Sequence, residues 1–212
     1  MKIRKIRLTI LVVITLVLSV QAARFILVQA TGRLFVKTVH NRSRGNAGAP
    51  VHIIEYTDFE CPACAAGSLV LDEYFVKYPK KIFHEYRYFP LMVIHPHALR
   101  AAVYGECAAR QNKFWVYHDL LSQRRLQWAK SADVEHEFRN LAQEAGIDLL
   151  KLGTCVEDKQ IEAFILKQKE DGESLGVKAT PTFFLNKRML VGARAIREGL
   201  EKYFGEKAHE NQ

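Results

Sequence analysis

The sequence predicts an α/β fold whose strands are separated by an inserted all-helical block. Three observations carry that prediction. Val51-His52-Ile53-Ile54-Glu55-Tyr56 reads as a buried strand and is followed by a helical stretch and a second strand-like run. Residues 95–176 then show helical periodicity and little else. The last part of the chain returns to two short strands and a helix. The 212 residues, 49% hydrophobic and 25% charged, suit one globular domain enlarged by an insertion.

The N-terminus has a different character. Lys2, Arg4, Lys5 and Arg7 form a positive region, and Leu8 to Val20 is an apolar stretch broken only by Thr9, Thr15 and Ser19. Val20-Gln21-Ala22 offers the small residues a signal peptidase cuts behind. Residues 1–23 are therefore expected to be an export signal or, since Phe25-Ile26-Leu27-Val28 prolongs the hydrophobicity, an uncleaved membrane anchor. Residues 24–50 read as a basic linker with one short strand at Leu34 to Val39, turning small and flexible from Ser43 to Pro50. The formal charge of +8 raises the question of nucleic acid, and its distribution answers it. Nine of the 31 basic residues and none of the 23 acidic ones fall within residues 1–50, so the rest is near neutral and no polyanion-binding surface is expected.

The elements follow in order. After the strand at Val51, Ala63-Ala65-Ala66 with Leu69-Val70-Leu71 predicts a helix, and Pro79 ends it. Lys81 to Phe89 alternates as the second strand. Ala98 to Gln111, Phe114 to Leu121 and Val134 to Ala145 predict three helices of the insertion, with Gly146 as a stop and Asp148 capping a short helix around Leu149 to Leu152. Ile161, Ile165 and Gln168 lie on one face of a longer helix closed by Gly172 and Gly176. Thr182 to Leu185 and Met189 to Val191 form a hairpin around Asn186-Lys187, and Ala195 to Phe204 an amphipathic helix. The α/β part thus comprises residues 51–94 and 177–205, the insertion 95–176 and a tail 206–212.

The chemistry is concentrated in Cys61-Pro62-Ala63-Cys64. Its position between a strand and a helix puts Cys61 at a helix N-terminus, where unpaired N–H groups and the helix dipole favour a thiolate. Pro62 suits the first helical turn. Zinc needs four ligands, and neither the separate Cys107 and Cys155 nor His95 and His97 at i,i+2 supply a matching set, so redox chemistry is expected and no metal or cofactor. In an exporting context disulfides persist. Cys107 and Cys155 are then the natural second pair, with two separate buried thiols as the alternative. Glu55 lies inside an apolar strand, where burial raises a carboxyl pKa; a strand carboxylate paired with Lys or Arg is the other reading. Thr180-Pro181 opens a strand after a turn and is a candidate cis peptide. Phe59 and Pro62 are expected to give the site an apolar surface.

These features resemble the DsbA-like thiol:disulfide oxidoreductases of the thioredoxin fold. The resemblance rests on Asp58-Phe59-Glu60-Cys61-Pro62-Ala63-Cys64, His95-Pro96-His97-Ala98-Leu99-Arg100-Ala101-Ala102, Lys113-Phe114-Trp115 and Gly176 to Phe184, in family order over about residues 49–205. It implies a thioredoxin-like fold with an inserted all-helical subdomain. Cys61 would be an exposed attacking thiolate and Cys64 a buried resolving thiol. Pro181 would be a cis-proline against the disulfide, while Thr180, Pro62 and Ala63 would contact a bound polypeptide. Glu55 would move a proton to or from Cys64. His95 and His97 match a helix-start signature and read as structural. Ala63 departs from the strongly oxidising members, which often carry histidine there, so the Cys61 thiolate is expected to lose one stabilising partner and the couple to be less oxidising.

The resemblance implies an exported oxidase of cysteine pairs in translocated proteins, acting in the periplasm or another extracytoplasmic space. Its partners would be unfolded polypeptides with free thiols and a membrane protein that reoxidises it. A reductase or isomerase with the same chemistry is the first alternative. A chaperone-like binding module is the second, and a glutathione-dependent isomerase or transferase the third.

Overall fold

The computed structural model describes Ser19 and residues 40–210. The expected signal or anchor and the strand at Leu34 to Val39 lie outside the described residues, apart from Ser19. A 3-10 turn at His40–Arg42 leads into β1 (Ser43–Gly45), followed by β2 (Val51–Thr57), α1 (Pro62–Lys77) and β3 (Ile82–Tyr88). The insertion contributes α2 (Ala98–Arg110), α3 (Phe114–Gln123), α4 (Arg125–Trp128), α5 (Val134–Glu144), α6 (Leu149–Val156) and α7 (Lys159–Ser174). The chain closes with β4 (Thr182–Leu185), β5 (Arg188–Val191) and α8 (Ala193–Glu210). Among the described residues no helix is long and apolar enough to cross a membrane.

The five strands form one sheet in the order β1-β3-β2-β4-β5. At its centre, β2 runs parallel to β3 from Val51 opposite Ile82 to Thr57 opposite Tyr88, and antiparallel to β4 from Ile53 opposite Leu185 to Tyr56 opposite Thr182. Flanked on both sides, β2 is buried along most of its length, His52 excepted. Side chains alternate, so Val51, Ile53, Glu55 and Thr57 share one face. The first two pack with Val70 and Leu71 of α1 and Ile196 and Leu200 of α8. The two polar residues continue that face toward the start of α1. On the other face Tyr56 and Phe184 meet Phe89 and Val177.

A larger core fills the insertion around Phe114, Tyr117, Trp128 and Phe138. Two of its buried polar groups are bonded to carbonyls: Trp128 Nε1 donates to that of Leu121 at 2.8 Å and the Tyr117 hydroxyl to that of Phe138 at 3.1 Å. Asp133, Asp148 and Asp158 cap α5, α6 and α7 through backbone N–H groups. Asn186 and Lys187, both at positive φ, make the β4–β5 turn.

Three differences from the sequence reading have physical causes. Residues from Ser43 were expected to be flexible, yet Ser43–Gly45 pairs antiparallel with β3. Basic side chains hold it there. Arg42 is fully buried, with its Nη1 2.9 Å from Glu106 Oε2 and its guanidinium over the rings of Tyr88 and Phe164. Arg44 lies over Phe75 and Trp115 and reaches Asp72 at 2.7 Å. The short helix expected around Leu149 to Leu152 continues to Val156, and α4 is an additional turn. Phe59, expected on the surface, is buried against Tyr86, Tyr88 and Phe114. Gly105 makes the room, since a Cβ there would lie 2.7 Å from the Phe59 ring.

Cys107 of α2 and Cys155 of α6 are joined by a disulfide, with Cα atoms 5.8 Å apart and a sequence separation of 48. In the chain-entropy model a loop of that length is worth about 4 kcal/mol. Replacing both cysteines with alanine is expected to cost roughly 2–4 kcal/mol in denaturant unfolding while leaving the Cys61–Cys64 chemistry intact.

Candidate active site

β2 and the chain after it build the site. The strand ends at Thr57, and the turn Asp58-Phe59-Glu60 delivers Cys61 to the N-cap of α1 with Pro62 in the first turn. The carboxyl of Asp58 fixes this turn. Its Oδ1 accepts from Glu60 N at 2.8 Å, and its Oδ2 accepts from Leu91 N at 2.9 Å and from His95 Nδ1 at 2.8 Å. Glu60 Oε2 accepts from His97 N at 2.8 Å. His95 and His97 therefore anchor the loop after β3 to the loop before Cys61. That later loop exposes Met92, Val93 and Ile94, with Val93 99% exposed, so the apolar surface near the site comes from here and not from Phe59.

The second wall is the turn before β4. The Thr180–Pro181 peptide is cis, and the Thr180 carbonyl lies 3.6 Å from Cys61 Sγ. A Cβ at Gly67 of α1 would stand 2.9 Å from Phe183 Cζ and 3.3 Å from Pro181 Cγ, so glycine lets the helix approach this turn. Cys61 is only 7% exposed, contrary to the open thiolate the resemblance implied. The Thr180 turn covers it, and Pro62 and Ala63 are the exposed residues of the motif.

Cys61 and Cys64 are both free thiols with opposite acidities. The Cys61 pKa is lowered from 9.0 to about 5. Hydrogen bonding from the Cys64 thiol contributes most; burial opposes it, and Thr180 and the backbone N–H groups of Cys64 and Ala63 add to it. Burial pushes the Cys64 thiol well up, and the neighbouring Cys61 sulfur pushes further in the same direction. Asp58 N donates to Cys64 Sγ at 3.5 Å.

Glu55 is fully buried, and burial raises its pKa from 4.5 to about 7, against the opposing charges of His118 and Arg44. Its partner is a histidine, where the alternative reading expected Lys or Arg: Glu55 Oε2 lies 2.9 Å from His84 Nε2. Burial, followed by the charge of Arg44, holds the His84 pKa well below the usual range, so the ring is neutral. Arg44 Nε donates to His84 Nδ1 at 3.3 Å, which makes Nδ1 the acceptor and leaves Nε2–H to donate to Glu55. Thr57, two residues along the same strand face, lies beside both the Glu55 carboxyl and the Cys64 sulfur and lowers the pKa of each. Carboxyl, hydroxyl and thiol thus stand in a row leading into the site.

A cysteine pair at a helix start, a cis-proline turn against it and a buried acid behind it agree with the family comparison, in which the thioredoxin model matches residues 37–202. The chain belongs to the thioredoxin family. Solved structures share the fold. Wolbachia pipientis alpha-DsbA1 superposes with a TM-score of 0.67 at 22% identity, covering 81% of this chain and 94% of that one. Bacillus subtilis BdbD gives 0.65 at 18% identity, covering 78% and 94%. A periplasmic thioredoxin-like protein from Salmonella enterica serovar Typhimurium gives 0.67 at 20%, covering 84% and 95%. Curated relatives include the Na(+)/H(+) antiporter NhaA 1 of Mycolicibacterium vanbaalenii, 33% identical over 147 residues, and NhaA 3 of Salinispora tropica, 34% identical over 145. Each match covers 68% of this chain but only 23% and 21% of those relatives.

Sequence reasoning missed Thr57, His84 and Arg44 in this thioredoxin-family site. The i,i+2 spacing of Glu55 and Thr57 was a usable signal. His84 and Arg44 carried none, because sheet pairing alone brings β1 and β3 beside Glu55.

A carboxyl whose folded pKa is raised takes up a proton on folding. Its contribution is fully present below pH 4.5 and is lost as the pH rises through 7. Denaturant unfolding of Glu55→Gln against the parent should therefore show their difference moving in favour of the variant from pH 4 to pH 8, by up to about 3 kcal/mol. A difference that stays flat with pH rules out a buried carboxyl that must ionise.

Proposed function

We propose that this chain is an exported thiol:disulfide interchange protein that oxidises cysteine pairs in translocated proteins through a Cys61–Cys64 disulfide. The observation that carries this reading is the acidity of Cys61, lowered to about 5 at the N-cap of α1. A stabilised thiolate favours the reduced pair, which makes its disulfide a strong oxidant. Cys64, Thr180 and two backbone N–H groups supply that stabilisation without the histidine that Ala63 replaces.

The chemistry follows from the geometry. A substrate thiolate attacks Cys61 Sγ, the Cys61–Cys64 bond breaks, and its electron pair leaves on Cys64. The acidity order makes Cys64 a thiolate that readily takes a proton, and Glu55 acting through Thr57 is placed to supply it. A second substrate thiolate then attacks the substrate sulfur of the mixed disulfide. Cys61 leaves as a thiolate, and the substrate keeps the new disulfide. Exposed Pro62, Ala63, Met92, Val93 and Ile94 offer an unfolded chain an apolar surface, and the Thr180–Pro181 turn offers it backbone groups. A membrane protein would take the two electrons and restore the disulfide. The basic, apolar N-terminus supports export.

A reductase or isomerase is the second reading, and Ala63 favours it. The reduction potential separates the two. Equilibration with a thiol buffer is expected to place the Cys61–Cys64 couple well above the roughly −270 mV of thioredoxin, and a value near that figure assigns the reducing role. In the reduced protein, alkylation of Cys61 should be half-maximal near pH 5, the pH at which its thiolate forms.

A further inference from the structure

Glu55 is fully buried, so the proton that Cys64 gains or loses needs a route to solvent. Behind Cys64 lies a half-enclosed cavity lined by Thr57, Asp58, Cys64, Ser68, Tyr86 and His118, among others. It offers about 10 Å³ to the centre of a water molecule, room for one water. The lining is polar where it matters. The Tyr86 hydroxyl is buried without a hydrogen-bond partner, and a water in the cavity would satisfy it. The Thr57 hydroxyl lies beside the Cys64 sulfur on the same side.

His118 of α3 connects this cavity to the outside. Its ring is buried among Phe59, Tyr86, Phe114 and Trp115, a packing role that phenylalanine would fill equally well. The imidazole does more than pack. Its Nδ1 lies 2.8 Å from Asp119 Oδ1, and the Asp119 carboxylate is half exposed to solvent. A carboxylate only accepts, so Nδ1 carries hydrogen and Nε2 is the basic nitrogen.

We propose that His118, braced by Asp119, exchanges the Cys64 proton with solvent through one water held in this cavity. The proposal rests on the thiol–disulfide exchange assigned to Cys61 and Cys64. When the disulfide opens, the electron pair goes to Cys64 Sγ. By a second route beside Glu55, the cavity water gives that sulfur a proton and takes one from the His118 imidazolium, which is recharged from solvent beside Asp119. In the reverse direction the Cys64 thiol loses its proton to the water and His118, and its thiolate attacks Cys61 Sγ of the mixed disulfide. Acting through the water, His118 is a positioning residue. The ionisable groups around it are Asp58 of the β2–α1 turn, Cys64 of α1 and Tyr86 of β3 at the cavity, and Asp119 on its own helix. Glu55 of β2 and His84 of β3 respond to the charge of His118 and to Arg44 of β1.

The test is single-turnover reduction of the Cys61–Cys64 disulfide by a small thiol from pH 5 to pH 9. Rates are corrected for thiolate reagent, and the parent is compared with His118→Gln and Asp119→Asn. Both variants should be slower at neutral pH, His118→Gln by about tenfold or more, and both should change the shape of the rate–pH profile. Alkylation of Cys61 should keep its pH profile in both variants. Profiles that superimpose on the parent overturn the proposal and leave the exchange reading intact. A parent disulfide that small thiols do not reduce overturns both. If His118→Gln fails to fold, Asp119→Asn at its half-exposed position decides alone, by a changed profile or by superposition.

Discussion

The central strand β2 holds this site together, because the chain after it starts α1 and its partner strand β4 brings the Thr180–Pro181 turn onto the same point. Pairing from Ile53 opposite Leu185 to Tyr56 opposite Thr182 fixes where that turn lies. The close approach at Gly67 then sets the helix against Pro181 and Phe183. Cys61 sits between the two, with N–H groups of the first helical turn on one side and the Thr180 carbonyl on the other. A slip of one residue in the β2–β4 register would turn Glu55 and Thr57 to the opposite face and remove both from Cys64.

Within that frame, environment separates two identical side chains. Cys61 collects hydrogen bonds to its ionised form, and Cys64 lies behind it where burial opposes charge. Position alone thus makes one thiol acidic and the other reluctant to ionise. Glu55 follows the same rule: burial lifts its carboxyl toward neutrality, while the neutral His84 donates to it and is itself oriented by Arg44. One buried hydroxyl, Thr57, joins the two halves.

The insertion is part of the site as well as an addition to the fold. Its residues His95 and His97 bond to Asp58 and Glu60, Arg125 donates to the Glu60 carbonyl at 3.3 Å, and the Phe59 ring is sunk into the helical core. The turn carrying Cys61 is therefore clamped from the helical side at four successive contacts. His118, on the same core, closes the cavity behind Cys64. The disulfide between Cys107 and Cys155 ties α2 to α6 and steadies the block that supplies these contacts.

The sequence by itself determined the order of the elements from β2 to α8 apart from α4, the strand–motif–helix setting of Cys61-Pro62-Ala63-Cys64 and the Asp148 cap. Each is written in local periodicity, a cap residue or a proline, which act over a few neighbours. It also singled out Glu55, since a carboxyl amid β-branched residues is a local anomaly. Tertiary structure alone decided the partners. His84 and Arg44 reach Glu55 through strands far away in sequence, Phe59 turns inward because Gly105 leaves space, and the basic residues Arg42 and Arg44 dock where composition suggested a flexible linker. Long-range pairing and close packing depend on which surfaces meet, and no window of the sequence contains both surfaces.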